Sequence, residues 1–107
     1  MFGMDAVVQA LADPIRRDIL RMLRDGSVNA GGIAGAFSVS RPAISRHLRV
    51  LREAGLVRDE LIGRERAYTV TLDALAELEA FLAELHGPRR WERRLMALET
   101  EVHRVKR

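Results

Sequence analysis

The segment spanning residues 29–55, NAGGIAGAFSVSRPAISRHLRVLREAG, places the tightest constraint on the fold of this chain. Asn29 is a residue type that caps a helix, and so is Ser40, which precedes a second helix with Pro42 in its first turn. A short turn separates the two helices, and Gly55 suits the end of the second one. We therefore predict a helix-turn-helix, with the second helix presented to solvent on one side.

The second helix divides into an apolar stripe and a basic face. Ile44, Leu48 and Leu51 repeat at i, i+4 and i+7, which predicts that they are buried. The polar side chains outside this stripe are Ser40, Arg41, Ser45, Arg46, Arg49 and Arg52. An α-helix fits the major groove of B-DNA, where arginine hydrogen-bonds guanine bidentately. The helix N-terminus also offers free N–H groups to a phosphate. We interpret this face as a DNA-reading surface, since a merely solvated helix face would not need so many arginines beside a turn.

His47 lies at the edge of the predicted stripe, three residues after Ile44. Two interpretations stay open for it: a histidine packed or bonded to the backbone, which we favour, and a reader of DNA bases.

Two β-like runs follow, residues 57–62 and 66–71, with Gly63, Arg64 and Glu65 between them. A glycine at the start of a short turn is typical of a β-hairpin. Arg64 and Arg66 at its tip could contact the phosphate backbone or a narrow minor groove. The alternative is a solvated loop, and we favour phosphate contact because the hairpin adjoins the basic helix.

Helices are predicted on both sides of this core, over residues 4–11, 14–25, 72–85 and 89–105. Asp13 is expected to cap the second of these helices, with Pro14 as its first residue. The last of them carries Trp91, Leu95, Leu98, Val102 and Val105, whose spacing of 4, 3, 4, 3 forms a seam for another helix. The predicted fold is mainly α with a β-hairpin wing, a winged helix-turn-helix extended by helices at both ends. We expect one domain over residues 1–107, with the wing at about 56–71 and C-terminal dimerisation helices at about 72–105.

The composition limits the alternatives. The chain has no cysteine, which excludes disulfides and thiolate ligands. Neither a membrane-spanning apolar run nor a secretory signal is present, so we expect a cytoplasmic protein. Residues 41–66 carry seven arginines against four acids, a distribution suited to a polyanion.

Three strings, LADPIRRDILRML, SVSRPAISRHLRVLREAGLV and GRERAYTVT, occur in an order and spacing that resemble the ArsR-type (ArsR/SmtB) family of bacterial winged-helix repressors. The resemblance covers residues 11–85. It implies a homodimer, built largely from the first and last helices, that represses transcription from an operator. A twofold dimer would select an inverted repeat. The interface side chains expected on this basis are Val7, Leu11, Leu78, Phe81, Leu85, Trp91, Leu95, Leu98 and Val102.

Many members of the family bind metal through cysteines on the first helix of the reading motif, or through Asp and His on the late helices. Here Asp73 and His86 match two late ligands, but Leu75 and Arg89 occupy the other two positions. Two ligands of four do not form a tetrahedral site. We therefore predict no metal and no cofactor, as in the metal-independent branch of the family, and leave open a small-molecule effector of unidentified chemistry.

Two other function classes fit the sequence less well. A winged-helix module that binds an acidic protein would have only weak, sequence-indifferent affinity for DNA. A hydrolase is disfavoured, because no nucleophile elbow or glycine-rich phosphate loop accompanies the Ser, His and Asp residues.

Overall fold

A computed structural model describes residues 3–87 of the chain. Five helices, a 3-10 turn and three strands follow one another in these residues. They are α1 (Met4–Leu11), α2 (Pro14–Leu23), β1 (Val28–Asn29), α3 (Ala30–Gly35), α4 (Arg41–Glu53), β2 (Val57–Ile62), β3 (Glu65–Val70), the 3-10 turn (Asp73–Leu75) and α5 (Ala76–Leu85). The predicted seam from Trp91 to Val105 lies outside the described residues.

Three helices begin where the sequence predicts a capping side chain. The Asp13 carboxylate accepts the Arg16 N–H at 3.1 Å, and the Asn29 side chain accepts the Gly32 N–H at 2.7 Å. The Ser40 hydroxyl accepts a hydrogen bond from the Ala43 N–H, in the first turn of α4, at 3.3 Å. Each cap satisfies a backbone donor that has no partner inside its helix. The starts of α2, α3 and α4 are therefore specified locally.

The three strands form an antiparallel sheet in the order β1-β3-β2. Strand β1 was not predicted, because its two residues show no alternating pattern and read as part of a connection. Pairing with the free edge of β3 creates it, with Val28 opposite Tyr68. The Asn29 amide also donates to Glu65 at 2.8 Å, which ties the start of α3 to the hairpin.

The hairpin turn is one residue shorter than the sequence suggested. Ile62 pairs with Glu65, so the turn holds only Gly63 and Arg64, and β3 begins one residue earlier than predicted. Gly63 has φ +65°, and no residue other than glycine has a positive φ among those described. A two-residue turn with glycine first fits the right-handed twist of the strands.

A single core joins the helices to the sheet. Its fully buried large side chains are Val7, Ile19, Leu23, Ile33, Ile44, Leu51 and Leu56. The predicted stripe of α4 is confirmed, since Ile44, Leu48 and Leu51 are all buried. Val7 was predicted to lie in the dimer interface, and this is corrected. Its side chain is 0% exposed inside the chain's own core, so none of its surface is available to a partner.

Helix α5 has an incompletely covered apolar side. The chain enters it through the 3-10 turn rather than as one continuous helix from residue 72, and none of its residues is fully buried. Leu78 packs against the core, whereas Phe81, Leu82 and Leu85 are 41%, 42% and 66% exposed. Helix α1 packs against α5 and leaves Val8 exposed beside it. Among residues 3–87 no helix is long and apolar enough to cross a membrane.

Candidate DNA-binding surface

Helix α4 is fixed in orientation at both ends and along its inner face. Ser40 caps its start, and Gly55, with φ +79°, lets the chain turn sharply into β2 after it ends. The buried stripe holds its inner face against the core, which leaves the opposite face in solvent. The polar residues predicted from the sequence to contact DNA are all exposed: Ser40, Arg41, Ser45, Arg46, Arg49 and Arg52.

Three of these arginines have no partner in the described part of the chain. Arg41, Arg46 and Arg49 form no ion pair and no side-chain hydrogen bond with residues 3–87. The eight-residue step from Arg41 to Arg49 corresponds to ~12 Å of helix rise. That length matches about three to four base-pair steps of DNA. Their guanidinium groups are therefore available for base edges or phosphates at no cost in internal contacts.

The end of α4 and the hairpin share one carboxylate that the sequence analysis did not single out. Asp59 accepts a hydrogen bond from Arg66 Nη1 at 2.8 Å and lies 3.6 Å from Arg52 Nη1. Its side chain is only 14% exposed. Arg52 and Arg66 remain 44% and 54% exposed, but the adjacent Asp59 carboxylate already compensates part of their charge. Their contact with DNA stays a prediction.

Strand register explains this cluster. Asp59 pairs with Tyr68, and Arg66 pairs with Leu61, so the carboxylate and guanidinium are diagonal neighbours on one face of the sheet. Side chains alternate between the two faces of a strand, so a known register would have predicted that Asp59 and Arg66 are neighbours. The three-residue turn suggested by the sequence would place Arg66 and Asp59 on opposite faces of the sheet.

The position of His47 supports the first of its two interpretations, a packed histidine rather than a reader of bases. Its side chain is 18% exposed, and Nδ1 lies 3.2 Å from Arg16 Nη1 and 3.8 Å from Asp13 Oδ2. Since a guanidinium can only donate, Nδ1 accepts the bond from Arg16. Arg16 also donates to the Ala10 and Gln9 carbonyls, each at 2.8 Å. One guanidinium therefore joins the end of α1 to the reading helix α4.

The carboxylate of Asp13 supports the same junction electrostatically. Partial burial acts to raise its pKa, but the hydrogen bond from the Arg16 N–H and the nearby positive charge of Arg16 lower it. The net result is a pKa below the ordinary value for aspartate. Asp13 thus stays ionised beside His47, while also capping α2.

The tip of the wing carries a different combination of side chains. Arg64 is exposed in the turn and forms no ion pair with the described residues. Leu61 and Ile62 beside it are 60% and 59% exposed. The tip therefore offers one free positive charge flanked by apolar surface.

The late helices show no metal cluster in the described region. Within residues 3–87, no group of three or more His, Cys, Asp or Glu side chains is close enough to hold an ion. Arg89, at one of the family's ligand positions, lies outside those residues. The absence of a metal stays a prediction.

Comparisons with known proteins agree with this geometry. The sequence profile of the family described as "Bacterial regulatory protein, arsR family" matches residues 13–59. The transcriptional repressor SdpR of Bacillus subtilis is 38% identical over 74 residues, covering 69% of this chain and 82% of the relative. The HTH-type transcriptional regulator Rv2034 of Mycobacterium tuberculosis is 44% identical over 78 residues, which is 73% of each chain.

A solved structure resembles the whole described arrangement. An ArsR-like transcriptional regulator from Rhodococcus sp. RHA1 superposes with a TM-score of 0.74 at 32% identity, covering 94% of this chain and 90% of that one. The fold described above is thus shared with an ArsR-like transcriptional regulator. This chain belongs to the ArsR family and is a DNA-binding regulator of transcription rather than an enzyme.

Proposed function

We propose that this protein is a homodimeric repressor, a single domain over residues 1–107, that binds an inverted-repeat operator. The observation that carries the proposal is the basic face of α4, on which Arg41, Arg46 and Arg49 have no ion-pair partner among residues 3–87. The buried stripe anchors this face from behind. Each copy would place α4 in one major groove, with its basic face toward the bases.

Arg41, Ser45 and Arg49 are the proposed base-reading residues. All three are exposed on the outer face of α4, and the two arginines have no competing partner within residues 3–87. Arginine can bind guanine O6 and N7 with two hydrogen bonds, and serine can bond several bases or a phosphate. Ser40 and Arg46 flank this set and are proposed to contact the backbone, which fixes position but carries no sequence information.

Arg64 is proposed as the wing's phosphate contact. It lies in the two-residue turn, farthest from the core, and its charge is not neutralised by a described acid. Arg52 and Arg66 would contribute less, because their charges already face Asp59. His47 would act by positioning α4 rather than by touching a base.

The dimer is proposed to use the exposed side of α1 and α5. Leu11 and Leu78 are half-buried there, while Phe81 and Leu85 stand largely in solvent. Covering large apolar side chains stabilises association by ~1.5–3 kcal/mol each before entropy is counted. The seam from Trp91 to Val102, whose placement lies outside the described residues, would extend the same interface.

A repressor role is supported by SdpR, which is named a transcriptional repressor. A protein bound to an operator that overlaps a promoter would exclude the polymerase from it.

Selection of bound fragments from the source genome tests the proposal, together with sedimentation equilibrium of the purified protein. We expect twice the 12.1 kDa chain mass and fragments that share an inverted repeat, with half-sites ~34 Å apart. A monomer that retains fragments without any shared sequence would instead support the protein-interaction module.

Leu85→Glu tests the dimer face directly, because that side chain is exposed and its loss does not disturb the core. We expect a monomer with weakened operator binding. Ala80→Glu is the matched control, since it adds the same charge at an exposed position on the opposite side of α5. If both variants remain dimeric, this face of α5 is not the interface.

A further inference from the structure

The inner face of the wing, which carries Val57, Asp59 and Leu61 of β2, extends beyond the core. These residues share one face because side chains alternate along a strand. Val57 is buried and Asp59 is 14% exposed, whereas Leu61 is 60% exposed. At ~3.3 Å for each strand residue, Leu61 lies ~6.6 Å beyond Asp59 toward the turn. An aliphatic side chain therefore emerges from the protein on the inner face of the wing.

Helix α4 lies beside this same face. Near the end of the helix, Arg52 Nη1 is 3.6 Å from the Asp59 carboxylate, so the inner face and α4 adjoin each other. In B-DNA one sugar-phosphate strand separates the major groove from the next minor groove. If α4 occupies the major groove, the inner face of the wing meets that strand. Leu61 is the apolar side chain of this face that is exposed to it.

Two arginines flank Leu61. Arg66 is directly opposite it on β3 and remains 54% exposed, while Arg64 is exposed in the turn and has no ion pair among residues 3–87. A DNA strand alternates charged phosphates with deoxyribose sugars, whose carbon atoms are apolar. An aliphatic side chain between two guanidinium groups complements a sugar between two phosphates.

The outer face of the wing carries Ile62, which has the same exposure in a different setting. Ile62 is 59% exposed and follows Leu61 directly, so it points to the opposite side of the sheet. The charged side chains on that side are Arg58, Glu60 and Glu65, and Glu65 is the cross-strand neighbour of Ile62. Two carboxylates against one guanidinium repel a phosphate strand. Exposure alone therefore does not distinguish the two aliphatic residues, but their surroundings do.

We propose that Leu61 is a DNA-contact residue that packs against deoxyribose in the strand between the groove of α4 and the adjacent minor groove. Arg64, and less strongly Arg66, holds the phosphates on either side. Because the contact is apolar and made to a sugar, it adds affinity that depends neither on counterion release nor on the base sequence. It rests on the docking of α4 in the proposed function, but not on the homodimer or the inverted repeat.

Leu61→Thr in the full-length protein tests this contact. Threonine suits a strand but removes most of the apolar surface. Ile62→Thr is the matched control, since it makes the corresponding change at equal exposure on the opposite face. Fluorescence anisotropy measures binding to an unrelated duplex and to the fragment recovered by genomic selection. We expect Leu61→Thr to bind both duplexes about fivefold more weakly, and Ile62→Thr to stay within about twofold of the wild type.

Salt dependence separates an apolar contact from an electrostatic one. The slope of log K against log salt reports the number of phosphates neutralised, so Leu61→Thr should keep the wild-type slope. Arg64→Ala should lower that slope by about one. Leu61→Met keeps the apolar surface and should restore the wild-type affinity. A lower slope in Leu61→Thr, or weak binding by Leu61→Met, would overturn the proposal.

Sedimentation equilibrium and urea unfolding complete the test. We expect all three variants at Leu61 and Ile62 to keep the mass and the unfolding transition of the wild type. A changed mass in Leu61→Thr would assign this leucine to a contact between copies and overturn the proposal. Equal weakening of DNA binding by Leu61→Thr and Ile62→Thr, or weakening by neither, would overturn it as well. If genomic selection yields no shared sequence, the proposed operator fails, while the unrelated duplex still decides the role of Leu61.

Discussion

The outer face of α4 and the junction between α4 and the wing are both rich in arginine, but their charges are in different states. Arg41 and Arg49 on the outer face have no ion-pair partner among residues 3–87. At the junction, Arg52 and Arg66 converge on Asp59. The number of basic residues is thus a poor guide to a DNA-binding surface, because an arginine that already faces a carboxylate has less attraction left for a phosphate.

The inner side of α4 explains how the free face keeps its position. Arg16 bonds His47 and two carbonyls of α1, so the reading helix is tied to the helix proposed for dimerisation. The buried stripe supplies the rest of the anchoring. Free charges outside and fixed contacts inside are what a reading surface needs, since side chains can then meet DNA without moving the helix.

The largest expected effect comes from removing a free guanidinium. Arg49→Ala should weaken binding to the selected operator by ~1–3 kcal/mol and relax preference at the base pairs it contacts. Titration of the operator and of single-base variants by fluorescence anisotropy measures both effects. Arg24→Ala removes the same charge from α2 and serves as the control. If the two variants lose affinity equally for all sequences, Arg49 does not read bases.

The next effect concerns the anchoring. Asp13→Ala removes the cap of α2 and the carboxylate near His47, and should lower the free energy of unfolding by about 1 kcal/mol. Asp13→Asn keeps a capping oxygen and should recover most of this loss in urea unfolding. If both variants lose the same free energy of unfolding, the charge of Asp13 rather than its capping hydrogen bond supplies the stability.

Acid pH separates these two contributions further. The pKa of Asp13 is lower in the folded protein than the usual ~3.9 of an unfolded chain. The stabilisation by its charge is therefore present above that unfolded value and disappears as pH falls through the folded one. The difference in free energy of unfolding between the wild type and Asp13→Asn should therefore shrink as the pH falls through this range. Urea unfolding at several pH values measures it. A difference that persists at still lower pH would contradict this assignment.

Much of the fold was readable from local signals. Caps at Asp13, Asn29 and Ser40 and the stripe of α4 are set by residues within a few positions of one another, and all were predicted correctly. Strand β1 was missed because two residues carry no period of their own and become a strand only by pairing with β3. Local rules cannot predict an element whose partner lies about forty positions away.

The site divides in the same way. The exposed face of α4 followed from helical periodicity, whereas the Asp59 cluster depends on register and turn length. Val7 was assigned to the dimer interface because a helix pattern shows which residues are apolar but not which neighbour covers them. Only the packed structure shows that the chain's own core does so.

The wing tip should show a smaller effect than the reading helix. Arg64→Ala should weaken binding to all sequences by a similar factor and lower the slope of log K against log salt by about one. Measuring operator and unrelated DNA at several salt concentrations tests this. A slope that does not change would remove Arg64 from the phosphate contacts.

The smallest effect tests the junction itself. Asp59→Asn frees Arg52 and Arg66, and we expect operator affinity to rise about twofold to fivefold, since an exposed ion pair contributes up to ~1 kcal/mol. The salt slope should steepen, because two more charges become available to displace counterions. Glu60→Gln removes the same charge from the neighbouring position on the opposite face of β2, away from Asp59. An equal rise in both variants would mean that net charge alone matters, and that the pairing at Asp59 does not distinguish this junction from the free face of α4.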